Sequence, residues 1–337
     1  MNPVSALREI GFLLERVRSE THRVKAYRNA ADVVAAMTAT ERDDHQRQRS
    51  WASVTGIGPK TALVISQAMA GDVPDYLQKL LDEKEPLVEG GTAMRKMIKG
   101  DLHCHSLWSD GGSPLEEMMI TAQGLGHSYC AITDHSPRLK VARGLTAERL
   151  REQQEVITDL NEVLAPFRVL RGIEVDILED GSLDQEDGLL GELDVVVASV
   201  HSKLRSDSET MTHRMVGAIA NLRTNVLGHC TGRLIEGERG LRPQSTFDPE
   251  VVFEACRSFG VAVEINSRPE RRDPPTRLLQ LAMDMGCLFS IDTDAHAPGQ
   301  LEFQIYGCER AESLGLDPER VINTWPAERL LSWCAKA

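Results

Sequence analysis

The sequence lacks the long apolar segments that mark membrane proteins and secreted precursors. No run within its 337 residues approaches the roughly 20 apolar residues that a membrane-spanning helix needs. The N-terminus, MNPVSALREIGFLLERVRSE, carries charges among its apolar positions and therefore lacks the hydrophobic core of a signal peptide. We expect a cytoplasmic protein with no membrane segment.

Paired cysteines, internal repeats and low-complexity tracts are also missing. The seven cysteines are an odd number and none forms a CxxC pair. Cys130, Cys256 and Cys287 lie in apolar segments, which is typical of reduced cysteines that are buried as small hydrophobic residues. With 41% hydrophobic and 26% charged residues, the chain has the composition of a globular protein. Its length predicts one large domain, alone or with a small companion.

An excess of positive charge is absent, since the formal net charge is −13. Residues 91–337 hold 26 basic and 38 acidic residues, which argues against broad nonspecific binding of nucleic acid. Such an acidic body is what a domain that gathers carboxylates around several cations would have. Residues 1–60 hold 10 basic and 7 acidic residues, so a nucleic-acid partner stays possible for the N-terminal part of the chain.

The first part of the chain has a helical pattern. Residues 4–37 carry apolar side chains at helical spacing, and VTGIGPKTALVISQAM follows at 54–69. Two glycines before a helix predict a helix-hairpin-helix element, in which Gly56 and Gly58 permit a tight turn. Backbone N–H groups at the start of the next helix can then hold a nucleic-acid phosphate. A plain turn between two helices, with no ligand, is the alternative.

Three segments are predicted along the chain. Residues 1–85 form a small helical domain, and 86–98 form a linker because charged residues are followed there by a Gly-Gly pair. Residues 99–337 alternate apolar strands with helices, as in an α/β barrel or a layered sheet. The strands are predicted at 129–133, 168–177, 194–200, 225–228, 261–265 and 287–291, and helices include 146–164 and 248–258.

Most of these strands end in a residue type that ligates metals. The carboxyl ends of parallel strands meet on one face of an α/β barrel, so these residues are expected to converge. A single histidine at a strand end is most often a hydrogen-bonded core residue, but six of the ten histidines follow apolar strands. The predicted metal ligands are His103, His105, Asp110, His135, Glu174, His201, His229, Asp294 and His296. The remaining histidines, at 22, 45, 127 and 213, are expected in loops or facing solvent.

Nine ligands exceed the coordination capacity of one ion, so the pattern predicts two or three divalent metal ions. Imidazole and carboxylate ligands without thiolate suit Zn, Mn or Fe. Clustered divalent ions suit the hydrolysis of phosphate esters, because one ion activates water while others bind phosphate oxygens. Cys104 and Cys230 adjoin the ligands but are expected to point away from the site.

Six motifs in this region resemble those of the PHP (polymerase and histidinol phosphatase) superfamily. They are DLHCHS, AITDHS, GIEVD, ASVHS, LGH and DTDAH. Longer phrases such as EINSRPERRD and TDAHAPGQL are similar to the PHP domain of bacterial family X DNA polymerases. The resemblance implies a distorted (βα)7 barrel with a trinuclear metal centre.

The resemblance also implies how the ligands are shared among three ions. The first ion would take His103, His105, Glu174 and Asp294. The second would share Glu174 and take His201 and His229. The third would take Asp110, His135 and His296.

The front end is similar to the small helical DNA-binding domain of the same polymerases, through ETHRVKAYRNAADVV and GIGPKTALVI. By this resemblance Lys60 is placed to contact a DNA phosphate. Val64 stands where lyase homologues carry a Schiff-base lysine, so no lyase activity is expected. About twenty residues separate the hairpin domain from residue 99, whereas a nucleotidyltransferase palm needs a domain of its own, so no polymerase activity is expected.

Candidate substrate groups lie just beyond the strand ends. Of the cations Lys203, Arg233, Arg268, Arg271 and Arg272, we favour Arg233 and Arg272 as phosphate ligands, because both fall within family-like phrases. Asn266 is expected to orient substrate or a water. Asp134 is expected to accept a hydrogen bond from a ligating imidazole or else to cap a loop.

Three functions follow from these features. The first is metal-dependent processing of DNA 3′ ends, as a 3′-5′ exonuclease with the hairpin domain holding the DNA. The second is hydrolysis of a small phosphate monoester, as in the histidinol-phosphatase branch. The third is DNA-end binding without catalysis, which the full set of nine ligands disfavours.

Overall fold

The computed structural model describes residues 1–237 and 240–335. The chain divides into two compact units, Met1–Pro86 and Leu87–Ala337. None of the helices in the described ranges combines the length and the hydropathy that a bilayer crossing needs.

The first unit consists of five helices. Local sequence explains where two of them begin, because Asn2 accepts hydrogen bonds from the backbone N–H groups of Val4 and Ser5, and Thr38 forms a capping box with Glu41. The helices are α1 (Pro3–Arg16), α2 (Thr21–Ala36), α3 (Ala39–Gln48), α4 (Pro59–Met69) and α5 (Asp75–Asp82).

The core of this unit lies between α1, α2 and α4. Leu7, Ile10 and Leu14 are buried on one face of α1, at the spacing of an amphipathic helix. An ion pair is buried with them: Arg28 on α2 donates to both carboxylate oxygens of Glu15 on α1, at 2.8 and 2.7 Å. The two side chains are only 10% and 4% exposed, so the pair is part of the core.

The predicted hairpin lies at the start of α4. Gly56 has a φ of +90°, a conformation that residues with a Cβ rarely adopt. Gly58 precedes the first residue of α4, and its N–H donates to the Thr61 hydroxyl at 3.0 Å. Gly56, Gly58 and Lys60 are all exposed, whereas Val64 is buried in the core.

The second unit alternates strands and helices along the chain. Its strands are β1 (Gly100–Asp101), β2 (Tyr129–Ile132), β3 (Arg168–Asp176), β4 (Val195–Ser199), β5 (Val226–Leu227), β6 (Ala262–Asn266) and β7 (Phe289–Asp292). Its helices are α6 (Thr92–Met97), α7 (Leu115–Gly124), α8 (Ala147–Leu164), α9 (Asp187–Leu190), α10 (Ser208–Ile219), α11 (Pro249–Phe259), α12 (Thr276–Asp284), α13 (Gln304–Ser313) and α14 (Ala327–Cys334).

The seven strands are parallel and are paired in the order of the sequence. The first and last strands approach each other beyond their ends, where Cys104 and Ala295 form a parallel bridge and His105 donates its N–H to the Ala295 carbonyl at 2.8 Å. The strands thus form a nearly closed barrel, which confirms the predicted α/β fold class. The six strands predicted by range are all present.

The alternation of side chains along β3 shows how the barrel places its ligands. Leu170 packs in one apolar cluster with Tyr129 and Val197, whereas Ile173 and Val175 pack in another with helix side chains such as Met215. Position 174 has the same parity as 170, so Glu174 faces the barrel interior.

The segment predicted as a linker, 86–98, contains α6. This helix packs on α13 within the second unit, and the Glu312 carboxylate accepts hydrogen bonds from the N–H groups of Ala93 and Met94, both at 3.2 Å. Gly91, just before α6, lies so close to the backbone of Glu309 that a Cβ would stand 2.5 Å from its nitrogen. The Gly-Gly pair therefore permits close packing here.

Candidate metal centre

Loops at the carboxyl ends of the strands bring the nine predicted ligands to one end of the barrel. The buried Asp101, at the end of β1, accepts hydrogen bonds from the N–H groups of His103 at 3.1 Å and Thr293 at 3.2 Å. This contact joins the loop after β1 to the loop after β7, so the HxH motif lies beside the DTDAH motif. Asp294 has a φ of +51°, a left-handed conformation that is uncommon for a residue with a side chain.

The carboxylate of Glu174 lies at the centre of the site. It is almost fully buried, and five imidazoles surround its two oxygens. Oε1 lies 2.8 Å from His229 Nε2 and 3.2 Å from His201 Nε2, while Oε2 lies 2.9 Å from His135 Nδ1, 3.4 Å from His103 Nε2 and 3.5 Å from His105 Nε2. Two oxygens that face different histidines suit a carboxylate that bridges two cations.

A second group of ligand atoms surrounds Asp110. Its Oδ1 lies 3.5 Å from His135 Nε2 and 3.4 Å from His296 Nε2. Together with His105, these residues offer four ligand atoms within 4.8 Å of one another. Asp110 is exposed, so this side of the site is open to solvent.

A third group consists of His103, His105 and Asp294. Their ligand atoms also lie within 4.8 Å of one another, and all three residues are buried. A further group at the same spacing joins Glu174 to His135 and His201. The structure therefore brings all nine predicted ligands into one connected cluster, in which His105 and His135 are shared between neighbouring groups and Glu174 links His229 to the rest.

Several ring nitrogens in the cluster have no hydrogen-bond partner among the described residues. They are Nε2 of His103, both nitrogens of His105, Nδ1 of His135 and Nδ1 of His229. A buried polar atom without a partner is costly, so such atoms require an explanation. Six imidazoles and three carboxylates, with no thiolate among them, fit two or three divalent cations.

The protein compensates for the burial of its carboxylates. Burial raises the pKa of Glu174, but His201, His103 and His135 lower it by more. Burial likewise raises the pKa of Asp294, but His105 and Arg271 lower it by more. The pKa of both carboxyl groups is therefore held well below its usual value. Burial and the neighbouring imidazoles lower the pKa of His105 to about 3. Burial lowers the pKa of His201, but Glu174 and Asp176 outweigh it and raise that pKa to about 9. Metal ligation requires ionised carboxylates and neutral imidazoles, so a cation bound here would displace a proton from His201.

Two further carboxylates orient ligand histidines. Glu264 Oε1 lies 2.6 Å from His103 Nδ1, and Asp176 Oδ1 lies 3.0 Å from His201 Nδ1. In each case the contact leaves the Nε2 atom facing Glu174. Sequence reasoning missed the role of Glu264, although an acidic residue inside the apolar strand VAVEI is a sign of a buried carboxylate that needs a partner.

We expect Glu264→Gln to weaken metal binding by about 10- to 100-fold, because it removes the charge that holds the His103 ring in place. Isothermal titration calorimetry of the chelator-treated protein with a divalent metal would measure the metal affinity. Glu155→Gln is a suitable control, since Glu155 is exposed on α8. Equal affinity in the two variants would contradict an orienting role for Glu264.

Two arginines contact the cluster directly, and neither belongs to the pair favoured from sequence, Arg233 and Arg272. Arg271 donates through Nε to Asp294 Oδ2 at 3.1 Å, and Arg268 lies 3.0 Å from His296 Nδ1. Arg233 instead donates to the backbone carbonyls of Arg271, at 2.9 Å, and Arg272. The Arg272 side chain is exposed. The two contacts to the cluster therefore come from Arg268 and Arg271.

Asn266 and Asp134 are both buried beside the cluster. The Asn266 amide donates to Asp294 Oδ2 at 3.1 Å and to Glu264 at 3.2 Å, so it links a ligand to an orienting group. Asp134 accepts hydrogen bonds from the backbone N–H groups of Ser106 at 2.8 Å and Ser109 at 3.2 Å. Asp134 therefore caps the loop after β1, which was one of the two roles expected for it, and within the described ranges it does not accept a hydrogen bond from a ligating imidazole.

Two other groups of residues complete the comparison with the sequence. His127 lies in the loop before β2, in line with the loop alternative, but it is buried there, with Nε2 3.1 Å from Gln304 Oε1. All seven cysteines are free and buried, as expected. Cys104 Sγ lies 3.7 Å from Cys130 Sγ and Cys230 Sγ lies 3.8 Å from Asp273, so neither thiol is directed at the metal ligands.

Two family models match this chain. Residues 2–72 match a helix-hairpin-helix domain, and residues 101–268 match a PHP domain. A Bacillus subtilis protein named DNA polymerase/3′-5′ exonuclease PolX is 41% identical over 226 residues, which are 67% of this chain. The match covers only 39% of that relative's length.

Other relatives are matched by this chain over most of their own length. A probable phosphatase of Thermoanaerobacter sp. is 27% identical over 66% of this chain and 89% of its own. Among solved structures, a Lactococcus lactis histidinol phosphate phosphatase, complexed with zinc, L-histidinol and phosphate, has a TM-score of 0.44 at 18% identity. That similarity covers 64% of this chain and 92% of the other. The chain thus belongs to the PHP domain family, in a form that carries a helix-hairpin-helix domain before the PHP domain.

Proposed function

We propose that the protein is a metal-dependent phosphoesterase that removes nucleotides from DNA 3′ ends as a 3′-5′ exonuclease. The observation that carries the proposal is the buried Glu174 carboxylate among five imidazoles, within a cluster of nine metal-ligating side chains. Such a cluster has little use other than binding cations, and clustered divalent cations suit phosphoryl chemistry.

The nine residues predicted from sequence are proposed to hold two or three ions, with zinc, manganese or iron as candidates. Divalent cations in such a site polarise phosphoryl oxygens and lower the pKa of water, which supplies a nucleophile at neutral pH. The side chains of this protein bind and orient the ions. Arg271 contributes in addition, because its buried Nη1 has no hydrogen-bond partner among the described residues and is available to a phosphoryl oxygen.

The proposed substrate is DNA because of the first unit. Gly56 and Gly58 form an exposed turn before α4, and Lys60 is exposed in its first turn. Free N–H groups and a cation at a helix N-terminus suit a DNA phosphate. The name of the Bacillus subtilis relative includes a 3′-5′ exonuclease, which agrees with this proposal. We propose no polymerase activity, because no palm-sized segment separates the hairpin from the barrel.

A small-molecule phosphomonoesterase is the second candidate. It is favoured by the relatives named probable phosphatases, which this chain matches over as much as 93% of their length. In that case the first unit would not contribute to turnover. We place either activity in the cytoplasm, where free cysteines persist in the reduced state.

An oligonucleotide labelled at its 5′ end tests the proposal. With Mn²⁺ we expect a ladder of products shortened from the 3′ end, and no products after chelation. His201→Ala should abolish the ladder, because His201 contacts Glu174 at the centre of the cluster.

The hairpin provides the comparison that separates the two candidates. Lys60→Glu should weaken DNA hydrolysis but leave turnover of a small phosphate monoester unchanged. Lys79→Glu, which alters an exposed cation of the same unit, is the matched control. A ladder that survives His201→Ala would contradict the proposal, and turnover of monoesters alone would favour the second candidate.

A further inference from the structure

A group of cations lies on the loops that carry the metal ligands and is not used by the function proposed above. It comprises Lys203, Arg205, Arg233 and Arg272, and we call it the cationic ledge. Lys203 and Arg205 follow His201 by two and four residues, and Arg233 follows His229 by four. Arg272 adjoins Arg271, which contacts Asp294. The ledge therefore lies on the loops that carry the candidate metal ligands.

These loops pack together as one surface. The Ser245 hydroxyl donates to the Leu204 carbonyl at 2.8 Å, and the Ser245 N–H donates to the Thr231 carbonyl at 2.8 Å. Arg233 then joins this surface to the loop after β6 through the carbonyls of Arg271 and Arg272. The loops that carry the cations are thus fixed relative to one another.

A cavity of about 280 Å³ opens on the same surface. It is lined by two short stretches, Leu204–Ser206 and Arg242–Thr246. Its size is small for a drug-like ligand and suits a phosphate with part of its sugar. Arg205 lines the cavity, so a cation is available to an anion that enters it.

The charge of the ledge is unusual for this protein, whose net charge is −13. The side chains of Lys203, Arg205 and Arg272 are exposed and have no hydrogen bond or ion pair with the residues described, 1–237 and 240–335. Burial lowers the pKa of Arg233, the nearby Asp273 raises it and Arg272 lowers it, so the two guanidinium groups lie close enough to repel each other even beside a carboxylate. An anion bound between them would relieve this repulsion.

The backbone gives independent support. Lys203 has a φ of +52° and Arg272 a φ of +45°, in the left-handed region where glycine is the least strained residue. Each position carries a long cationic side chain instead. Arg18, Arg49 and Arg143 have a similar φ elsewhere, but Lys203 and Arg272 have it within two residues of His201 and Arg271, and strained backbone is concentrated at functional sites.

We propose that the cationic ledge binds backbone phosphates of a single-stranded polynucleotide whose end lies in the metal cluster. The inference rests on the proposed function and deepens it, because it specifies a polymeric substrate. A small monoester has no second phosphate and would gain nothing from these side chains. The ledge would therefore select polymers over small esters without reading their sequence.

Salt dependence of binding tests the ledge without hydrolysis. Fluorescence anisotropy of a labelled single-stranded oligonucleotide is measured in chelator with the full chain. Each phosphate contact to a single strand contributes about 0.7 to the slope of log affinity against log salt concentration. We expect Arg205→Gln to reduce the slope by about 0.7 and Lys203→Gln/Arg205→Gln to reduce it by about 1.4.

Arg151→Gln is the matched control, because Arg151 is exposed on α8 and belongs neither to the metal cluster nor to the cationic ledge. Thermal unfolding of each variant shows whether it is folded. A slope for the double variant equal to that of Arg151→Gln would overturn the proposal. The metal-loaded enzymes provide a second readout, the ratio of kcat/KM for the oligonucleotide to kcat/KM for bis(p-nitrophenyl) phosphate. We expect this ratio to be about tenfold lower in Lys203→Gln/Arg205→Gln than in Arg151→Gln.

The two readouts separate this proposal from the proposed function. If the wild-type protein hydrolyses only small esters, the nuclease function is wrong, and the salt slope alone tests the ledge, which an unchanged slope overturns. If the protein degrades DNA and the double variant matches Arg151→Gln in both readouts, the nuclease function stands and the ledge is overturned.

Discussion

Glu174→Gln is expected to lose at least one metal ion per chain and to reduce hydrolytic activity by more than about 100-fold. This exceeds the cost of removing a residue that only orients a ligand, such as Glu264. The substitution keeps the shape of the side chain but removes its charge. The five imidazoles that face the two Glu174 oxygens would then be left beside a neutral amide in a buried site. Inductively coupled plasma mass spectrometry measures the metal content, and the labelled-oligonucleotide assay measures the activity.

Glu155→Gln provides the control for this experiment, since it makes the same chemical change on the exposed side of α8. We expect its metal content and activity to equal those of the wild type. Circular dichroism establishes that both variants are folded. A Glu174→Gln protein with full metal content would show that the buried carboxylate does not bridge cations.

Glu15→Ala is expected to destabilise the first unit by about 3–5 kcal/mol, because it leaves the buried Arg28 guanidinium without its carboxylate. Both oxygens of Glu15 accept hydrogen bonds from Arg28, and both residues are buried between α1 and α2. Hydrogen exchange measured by mass spectrometry over residues 3–36 reports on this unit directly, without requiring the whole chain to unfold in one step.

Two comparisons make the destabilisation specific. Glu83→Ala removes an exposed carboxylate 3.8 Å from Lys79 and should cost less than about 1 kcal/mol. Glu15→Leu/Arg28→Met replaces both charges with apolar side chains and should recover much of the lost protection. Exchange over α1 and α2 that is unchanged in Glu15→Ala would contradict the assigned role of the pair.

Much of the barrel was predictable from sequence because most strands are short, apolar and followed by a candidate metal ligand. Two physical regularities sufficed: side chains alternate along a strand, and parallel strands end on one face. These brought His201 and His229 to the same end as His103, although the three are far apart in sequence. The ligand cluster was therefore predicted as a set, whereas the sharing of His105 and His135 between neighbouring groups depends on ring positions that spacing does not specify.

The contacts missed from sequence depend on loop conformation and on burial. Glu264 lies inside a strand, so its role appears only when the barrel interior places it beside His103. Arg271 and Arg272 are neighbours, yet a left-handed backbone at Arg272 leaves that side chain exposed while Arg271 contacts Asp294. Residue type alone does not distinguish such neighbours. The burial of His127 also depends on the conformation of its loop, which places it against Arg95 and Gln304.

The central claim is that this end of the barrel binds several divalent cations around one carboxylate. Anomalous diffraction from crystals of the protein grown with Mn²⁺ tests it most directly. We predict two or three peaks among the nine ligand side chains, with peaks next to both oxygens of Glu174. Peaks that are absent from the surroundings of Glu174, in a protein that hydrolyses phosphate esters, would contradict this account.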